Sequence, residues 1–269
     1  MARTLNITSV VDAVVDDLKS LVLSRQLAPG SPLTEAEVAG RYDVARATAK
    51  AAIERLVSEK VVVRKNHKTA RVVNLGPDDV RDIYNTRTYL EAQVLRRLAE
   101  ERTTFPLARV ANAKIAELWG RGIYDIVNPD MLFHTTLVDS LGSKRVSEIY
   151  GSLAFEVKLC MAQLQGSQRL SPEIIVAEHD RILQQLEAGD ADGVAATLTE
   201  HLARARELLA GALGGTPGPE AYLPSSALPP RPAASGSEPA AALPGVPQVS
   251  LTKVAPSAPG AAGRAPYLA

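Results

Sequence analysis

The first third of the chain has apolar residues at the three- and four-residue spacing of amphipathic helices. In residues 8–25 this spacing follows a Thr-Ser pair suited to cap a helix, and it predicts a first helix. A turn-rich connector at 27–32 ends that helix. Thr34 and Glu37 then have the spacing of a capping box, which predicts the start of a second helix.

A third helix and a β-hairpin follow along the chain. A polar turn at 42–44 precedes apolar positions at helical spacing over 45–58. Two β-branched runs, at 61–63 and 71–73, enclose a polar tip at 65–69 and predict a hairpin. Helix, turn, helix and hairpin in this order predict a winged helix-turn-helix, whose last helix is narrow enough to enter the major groove of DNA.

The charge of this region supports nucleic-acid binding. Residues 45–71 contain eight basic and two acidic side chains, whereas the whole chain is balanced, with 30 of each. A local excess of positive charge on a candidate recognition helix and wing is typical of a surface that contacts phosphates. A solvated helix–hairpin surface without a role in DNA binding is the alternative. We interpret residues 1–76 as a DNA-binding domain.

Residues 77–213 are predicted to form a second domain, an all-α bundle of six helices. The fold class is therefore mainly α, with a winged helix-turn-helix of three helices and a small hairpin ahead of this bundle. The second domain carries 15 basic and 20 acidic side chains, so we do not expect it to bind DNA. The predicted helices span about 78–101, 107–119, 129–141, 143–165, 172–188 and 191–213.

Residues 214–269 differ in composition from the rest of the chain, since they hold 12 of the 18 prolines and few large apolar side chains. Such a segment cannot bury enough apolar surface to offset its loss of conformational entropy, so we predict a disordered tail. No apolar run in the chain approaches the ~20 residues needed to span a bilayer. Cys160 is the single cysteine, which excludes an internal disulfide. We expect a cytoplasmic protein without membrane contact.

Candidate metal ligands lie on the apolar faces of three predicted helices in the second domain. Asp130 and His134 are four residues apart and share a stripe with two leucines. His179 and His201 occupy equivalent places in stripes of isoleucine, valine and leucine. Burying three imidazoles and a carboxylate is costly unless something satisfies them, and such a set suits a divalent metal: zinc first, then nickel or manganese. For each histidine taken singly, a hydrogen-bonded core residue is the alternative.

Arg87 lies within the apolar stripe of the first helix of this domain. An inward guanidinium needs a carboxylate partner, which a small-molecule acid could supply. An internal ion pair with one of the domain's own acids is the alternative. Glu91 is predicted to be solvated, and Glu178 and Glu200 to point away from the stripes of the neighbouring histidines, so none of these three is assigned to the site.

Several of these segments together resemble the GntR family of bacterial transcription regulators, in the FadR-like branch with an FCD effector domain. Residues 27–35 are similar to a lead-in of the form L-x-P-G-x-x-L-x-E, and residues 44–53 to a recognition helix V-S-R-T-P-V-R-E-A-L. Residues 130–134 match D-x-x-x-H, the histidines at 179 and 201 fit two later histidine positions, and residues 87–91 match R-x-x-x-E. The resemblance covers about residues 8–210 and excludes the tail.

The resemblance implies a homodimer that binds double-stranded palindromic operator DNA, and a small carboxylate effector held with the help of Arg87. The implied ligands of the metal ion are Asp130, His134, His179 and His201. The implied DNA contacts are Arg46, Thr48, Lys50, Lys68 and Thr69.

The recognition helix and wing depart from the family pattern at several positions. Serine, proline, arginine and glutamate are replaced by Ala45, Thr48, Lys50 and Ala51, and the glycine of the wing by Thr69. Lysine lacks the guanidinium fork that reads guanine, so Lys50 is expected to position the DNA backbone rather than to read bases.

We therefore predict a DNA-binding transcription regulator, most simply a repressor and not an enzyme. A small carboxylate metabolite at the metal site would control its affinity for the operator. One alternative is a metal-dependent enzyme that activates water at an open coordination position. The other is a partner-binding adaptor that has lost operator recognition through the substitutions in its recognition helix and wing.

Overall fold

The computed structural model describes residues 9–65, 68–118, 123–163 and 171–222, and it confirms a mainly α-helical fold with a winged helix-turn-helix ahead of a helical bundle. No helix among these residues is long and apolar enough to cross a lipid bilayer. The helices are α1 (Val10–Leu23), α2 (Glu35–Tyr42), α3 (Arg46–Ser58), α4 (Pro77–Glu101), α5 (Pro106–Glu117), α6 (Ile123–Asp139), α7 (Lys144–Ala162), α8 (Pro172–Ala188) and α9 (Ala191–Ala212). The strands are β1 (Pro32–Leu33), β2 (Val62–Val63) and β3 (Ala70–Val72).

Side-chain caps start the first two helices. The Thr34 hydroxyl accepts a hydrogen bond from the Glu37 N–H at 3.2 Å, and the Glu37 carboxylate accepts one from the Thr34 N–H at 3.0 Å. The same reciprocal pair joins Ser9 and Asp12 at the start of α1. The capping box predicted for α2 is therefore confirmed.

The wing contains a strand that the sequence pattern does not predict. β1 lies in the connector predicted as a turn, and it pairs antiparallel with β3, with Leu33 opposite Ala70. The Ser31 carbonyl extends this pairing by accepting from the Val72 N–H at 2.9 Å. Pro32 is tolerated because an edge strand does not need every N–H group. Residues 66 and 67 of the predicted wing tip, including His67, lie outside the described residues.

The helical part follows the predicted order, but one predicted helix start is wrong. The Asn128-Pro129 pair predicts a start at residue 129, whereas α6 covers Ile123–Asp139 and contains Pro129 in its interior. Proline lacks an N–H, so the helix loses one backbone hydrogen bond there. Burial of Ile126 and Met131 on either side stabilises the helix through this position.

Two main hydrophobic cores organise these elements. The first joins α1, α2, α3 and the sheet, and the second is built from helices α4 to α9, with α4 packed along α9. α7 contributes to both, because Val157 and Cys160 lie in the second core while Leu159 lies in the first. α7 therefore connects the bundle to the winged helix-turn-helix.

The chain after α9 folds back onto the bundle over residues 214–222, which we call the C-terminal strap. Arg81 on α4 donates to the Thr216 carbonyl at 2.7 Å. Glu207 on α9 accepts from the Gly218 N–H at 2.8 Å. A 3-10 helix over Pro219–Tyr222 ends the strap.

The expectation that the chain is disordered from residue 214 onward is wrong for the strap. Composition predicts disorder because the segment has few apolar groups, but here the arginine and glutamate side chains of the bundle satisfy backbone groups of the strap. Residues 223–269, the remainder of the predicted tail, lie outside the described residues.

Candidate metal and ligand site

Three helices of the bundle bring the four candidate ligands together. α6 carries Asp130 and His134, α8 carries His179, and α9 carries His201. One ligand atom from each residue lies within 4.8 Å of those of the others, and all four side chains are buried. The centroids of the three imidazole rings are 4.9–5.4 Å apart. A cluster of one carboxylate and three imidazoles at this separation could hold a metal ion.

Each imidazole is oriented by a hydrogen bond at its Nδ1 atom. His134 Nδ1 lies 2.7 Å from a Glu91 carboxylate oxygen, and His201 Nδ1 lies 2.8 Å from a Glu178 carboxylate oxygen. His179 Nδ1 lies 3.1 Å from the side-chain oxygen of Asn112. Partners of this kind on the outer ring nitrogen are typical of metal-binding histidines, because they fix the tautomer and leave Nε2 with a lone pair.

The hydrogen bonds of Asn112 determine the tautomer of His179. The Asn112 amide nitrogen donates to the Val176 carbonyl at 3.1 Å and to the Asp180 carboxylate at 2.8 Å, so its oxygen must face His179. That oxygen can only accept, and His179 therefore carries its hydrogen on Nδ1.

The Nε2 atoms of His134 and His179 are buried without a hydrogen-bond partner. Burial lowers the pKa of His134 and lowers that of His179 well below its usual value, so both rings are neutral near pH 7. A buried, unpaired lone pair is energetically unfavourable, and a metal ion would satisfy both at once. The residues present therefore fit a divalent metal.

Glu91 belongs to this site, and its predicted exposure to solvent is wrong. Its side chain is only 2% exposed and accepts from Arg87 Nε at 2.8 Å and from the Tyr150 hydroxyl at 2.8 Å, besides contacting His134. Burial alone would raise the pKa of Glu91, but the charge of Arg87 and the contact with His134 hold it well below the usual value. The carboxylate is therefore ionised and links Arg87 to His134 of the candidate metal cluster.

The sequence contains a signal for the burial of Glu91. Glu91 follows Arg87 by four residues, so the two side chains lie on one face of α4 and pair across one turn. Glu178 also belongs to the site, contrary to the prediction that it points away, because it is buried and contacts His201. Its side chain reaches α9 from the edge of the α8 stripe, and only the packing of two helices defines that contact.

A cavity of about 270 Å³ opens beside the cluster. Its lining includes the charged or polar side chains of Arg87, Asp130, Glu178, His201 and Arg204 together with apolar side chains. Arg87 is 1% exposed, and its Nη2 atom has no hydrogen-bond partner although its Nε atom pairs with Glu91. The internal ion pair, which was the alternative for Arg87, is therefore present, and the predicted contact with an effector stays a prediction.

The candidate DNA contacts lie on the surface of α3 and the wing. Arg46, Lys50, Lys68 and Thr69 are exposed, and Thr48 is half-buried. Arg46, Lys68 and Thr69 border one surface groove between the start of α3 and the wing.

Only part of the positive charge predicted for this region is free to act on another molecule. Arg55, Lys60 and Arg64 form ion pairs with acidic side chains of the same chain. By contrast, Arg46 and Lys50 make no ion pair within the described part of the chain. The start of α3 therefore carries unpaired positive charge.

Two family models match this chain. Residues 10–72 match that of bacterial regulatory proteins of the gntR family, and residues 82–204 match that of the FCD domain. Together the matches cover the winged helix-turn-helix and most of the bundle. The chain therefore belongs to the gntR family and carries an FCD domain, which confirms the resemblance drawn from its sequence.

Individual relatives agree with this assignment. The chain is 31% identical over 91 residues to the HTH-type transcriptional regulator BphR of Paraburkholderia xenovorans, a match that covers 34% of this chain and 37% of BphR. It is 24% identical over 155 residues to the gluconate operon transcriptional repressor of Bacillus subtilis, covering 56% of this chain and 63% of the repressor. The chain thus spans between about a third and two thirds of the length of these curated relatives.

A solved structure shares the fold. A GntR transcriptional regulator from Rhodococcus sp. RHA1 superimposes with a TM-score of 0.66 at 20% sequence identity, covering 75% of this chain and 98% of that one. At this identity the likeness establishes the fold alone.

Proposed function

We propose that this chain is a homodimeric transcription regulator that binds operator DNA through α3 and the wing. We further propose that a small carboxylate, bound beside a metal ion in the bundle, controls its affinity for DNA. The observation that carries the proposal is one chain combining unpaired cations on α3 with the buried cluster of Asp130 and three histidines. A metal-dependent enzyme would need the cluster but not the DNA-binding surface, and family membership also favours regulation over catalysis.

The DNA contact would centre on Arg46 at the start of α3, because the first residues of a recognition helix meet base edges in the major groove. Its guanidinium can read guanine, while Lys50 and Lys68 would bind phosphates. Thr48 and Thr69 would add hydroxyl hydrogen bonds to the DNA backbone. In a symmetric dimer the two winged units would meet half-sites about 10 base pairs apart.

The metal ion would be held by a carboxylate oxygen of Asp130 and by ring nitrogens of His134, His179 and His201. When bound, a divalent ion supplies positive charge and coordination positions open to a ligand oxygen. Zinc is the first candidate, followed by nickel and manganese. Glu91, Asn112 and Glu178 would orient the three imidazoles from outside.

The effector would be a small carboxylate because Arg87 borders the cavity and one of its guanidinium nitrogens, Nη2, has no hydrogen-bond partner. The repressor of Bacillus subtilis described above is named for a gluconate operon, and gluconate is itself a small carboxylate. That name is consistent with the proposed class of effector.

The C-terminal end of α7 would couple the cavity to the winged helix-turn-helix, which we call the winged unit. Met161 borders the cavity, and two residues later the Gln163 side chain accepts from the Leu75 N–H at 3.4 Å and donates to the Leu75 carbonyl at 3.2 Å. Arg25 after α1 donates to the Gln163 carbonyl at 3.2 Å. A ligand that displaces the end of α7 would therefore change the position of the winged unit, with a coupling free energy of ~1–3 kcal/mol.

A mobility-shift assay tests the proposal directly. The full chain, either zinc-loaded or stripped with EDTA, is mixed with DNA from the region upstream of its own gene. We expect retention of a specific fragment at low salt, and a change in affinity when zinc and a carboxylate are added. No retained fragment at low salt would contradict the regulator proposal. Affinity that depends on salt but not on DNA sequence would favour the adaptor.

A further inference from the structure

We propose that the C-terminal strap is a specificity-determining wall of the cavity, and that the ligand is a carboxylate with a short apolar body. The inference rests on the proposed function, because it concerns the ligand of the same regulatory site. It assigns a role to a segment whose composition alone predicts disorder.

The lining of the cavity combines two kinds of side chain. Arg87 can pair with a carboxylate, and Asp130 and His201 belong to the candidate metal cluster. Met161, Ile174, Leu208 and Ala221 are among the apolar side chains of the lining, which we call the apolar wall. Glu178 and Arg204 also border the cavity, but they are bonded to each other.

This division favours an apolar body on the ligand. A sugar acid would place some of its hydroxyl groups against these apolar side chains, where the hydroxyl groups would lose hydrogen bonds to water without replacement. A short hydrocarbon chain or ring would instead gain from burial on the same wall. The cavity therefore selects for a monocarboxylate with a small hydrocarbon body over a polyhydroxylated acid.

The strap contributes Ala221 to this apolar wall, and the residue is 8% exposed. The 3-10 helix that carries it follows directly after the anchoring bond from the Gly218 N–H to Glu207. Arg206 strengthens the anchor by donating to Glu207 at 2.7 Å and by approaching Glu220 of the strap at 3.6 Å. The position of Ala221 is thus determined by bonds between the strap and α9.

The strap also touches the backbone of α9. A Cβ atom added at Gly211 would lie 2.4 Å from Cγ of Pro217, closer than real contacts allow. A methyl group at this position would therefore displace the strap. Gly151 on α7 provides a matched control, since an added Cβ there meets nothing within 4 Å.

The first experiment compares carboxylates of different length and includes a substitution that makes the cavity smaller. Binding of acetate, butyrate, hexanoate, octanoate and gluconate to the zinc-loaded full chain is measured by isothermal titration. For the unaltered chain we expect butyrate or hexanoate to bind at least about tenfold more tightly than gluconate. Ala221→Phe should weaken the longer acids at least about tenfold while leaving acetate within about twofold. Thr216→Phe, at an exposed position of the same strap, should keep the profile of the unaltered chain.

The second experiment uses a substitution that displaces the strap from the cavity. Gly211→Ala should shift the preference toward octanoate, because the displaced strap no longer limits the length of the body. Gly151→Ala should leave the preference unchanged. Zinc content measured in every variant confirms that the bundle has folded.

The outcomes separate the inference from the proposed function. If carboxylates bind but Ala221→Phe and Gly211→Ala keep the original preference, the strap is not a wall and the inference is overturned while the proposed function stands. If gluconate binds more tightly than the hydrocarbon acids, the apolar-bodied ligand is overturned. If no carboxylate binds to any of the proteins, carboxylate sensing itself fails, and the inference with it.

Discussion

The chemistry of the candidate metal site depends on residues that contact the imidazoles from outside as much as on the imidazoles themselves. Glu91 is one such residue, since it holds His134, Arg87 and Tyr150 with one carboxylate. Asn112 plays the equivalent part for His179. Because these partners select the tautomer, they decide whether Nε2 offers a lone pair to a metal.

Glu91→Gln tests this role. The amide has the size of the acid but cannot carry the charge that pairs with Arg87. We expect zinc affinity to fall about 10–100-fold and the free energy of unfolding to fall by about 3–5 kcal/mol. Titration with a competing zinc chelator and urea denaturation measure the two effects. Glu100→Gln, on the exposed face of the same helix, should change stability by less than about 0.5 kcal/mol. Unchanged zinc affinity in Glu91→Gln would remove Glu91 from the site.

Arg46→Ala tests the residue proposed to lie at the centre of the DNA contact. Loss of the unpaired guanidinium at the start of α3 should weaken binding to the retained DNA fragment by about 1–3 kcal/mol and leave zinc content unchanged. Fluorescence anisotropy at fixed salt measures the affinity. Arg97→Ala removes an exposed arginine of the bundle and should leave DNA affinity as it is. An equal effect of the two substitutions would argue against a specific role for Arg46.

At the scale of elements, α4 and α7 connect the parts of the molecule. α4 carries Arg87 and Glu91 one turn apart and, near its start, the arginine that anchors the strap. α7 borders the cavity at Met161 and contacts the linker between the two units at Gln163. Both contacts of α7 lie at its C-terminal end, so a displacement of Met161 would act directly on the linker.

Gln163→Ala should uncouple the two functions without removing either. The alanine loses both side-chain hydrogen bonds to Leu75, so the end of α7 no longer holds the linker. We expect zinc binding and DNA binding to persist, and the effect of zinc on DNA affinity to shrink several-fold. The measurement is DNA affinity with zinc and with EDTA, in this variant and in Gln184→Ala, an exposed glutamine of α8. A full zinc response in Gln163→Ala would exclude this route.

At the scale of the whole molecule, the charges are divided between the two units although the chain is neutral. The unpaired cations lie on α3 and the wing, while the bundle has an excess of acids and buries its ligand cluster. This division suits a protein that meets DNA with one surface and encloses a small ligand elsewhere.

Removal of the metal should destabilise the bundle, because it leaves buried imidazole nitrogens without partners. A metal present at 100 times its dissociation constant stabilises a fold by about 2.7 kcal/mol. For a chain of this size we expect the Tm to fall by about 5–10 °C on stripping with EDTA and to return with zinc. Differential scanning fluorimetry measures the change. His134→Ala should bind little zinc and show no such response, and full zinc occupancy in that variant would contradict the site.

The local rules of the chain were sufficient to predict much of this architecture. Capping boxes and helical spacing depend on neighbouring residues, so the helices of the winged unit and the in-phase positions of Asp130 and the three histidines could be predicted from sequence. The errors lie where distant residues meet. Pro129 is accommodated inside α6 because buried side chains on both sides stabilise that helix, and β1 forms because β3 offers a second edge.

Tertiary structure alone decided which polar residues surround the cluster and where the chain goes after α9. Periodicity assigns a side chain to a face of its own helix, but the partner of Glu178 is on α9, and that of His179 is on α5. Likewise the strap is held by Arg81 on α4, more than a hundred residues earlier in the chain, and by Glu207 on α9. The composition of the strap itself cannot indicate these contacts. Sequence determined the elements and the ligand types, while packing decided which of them contact one another.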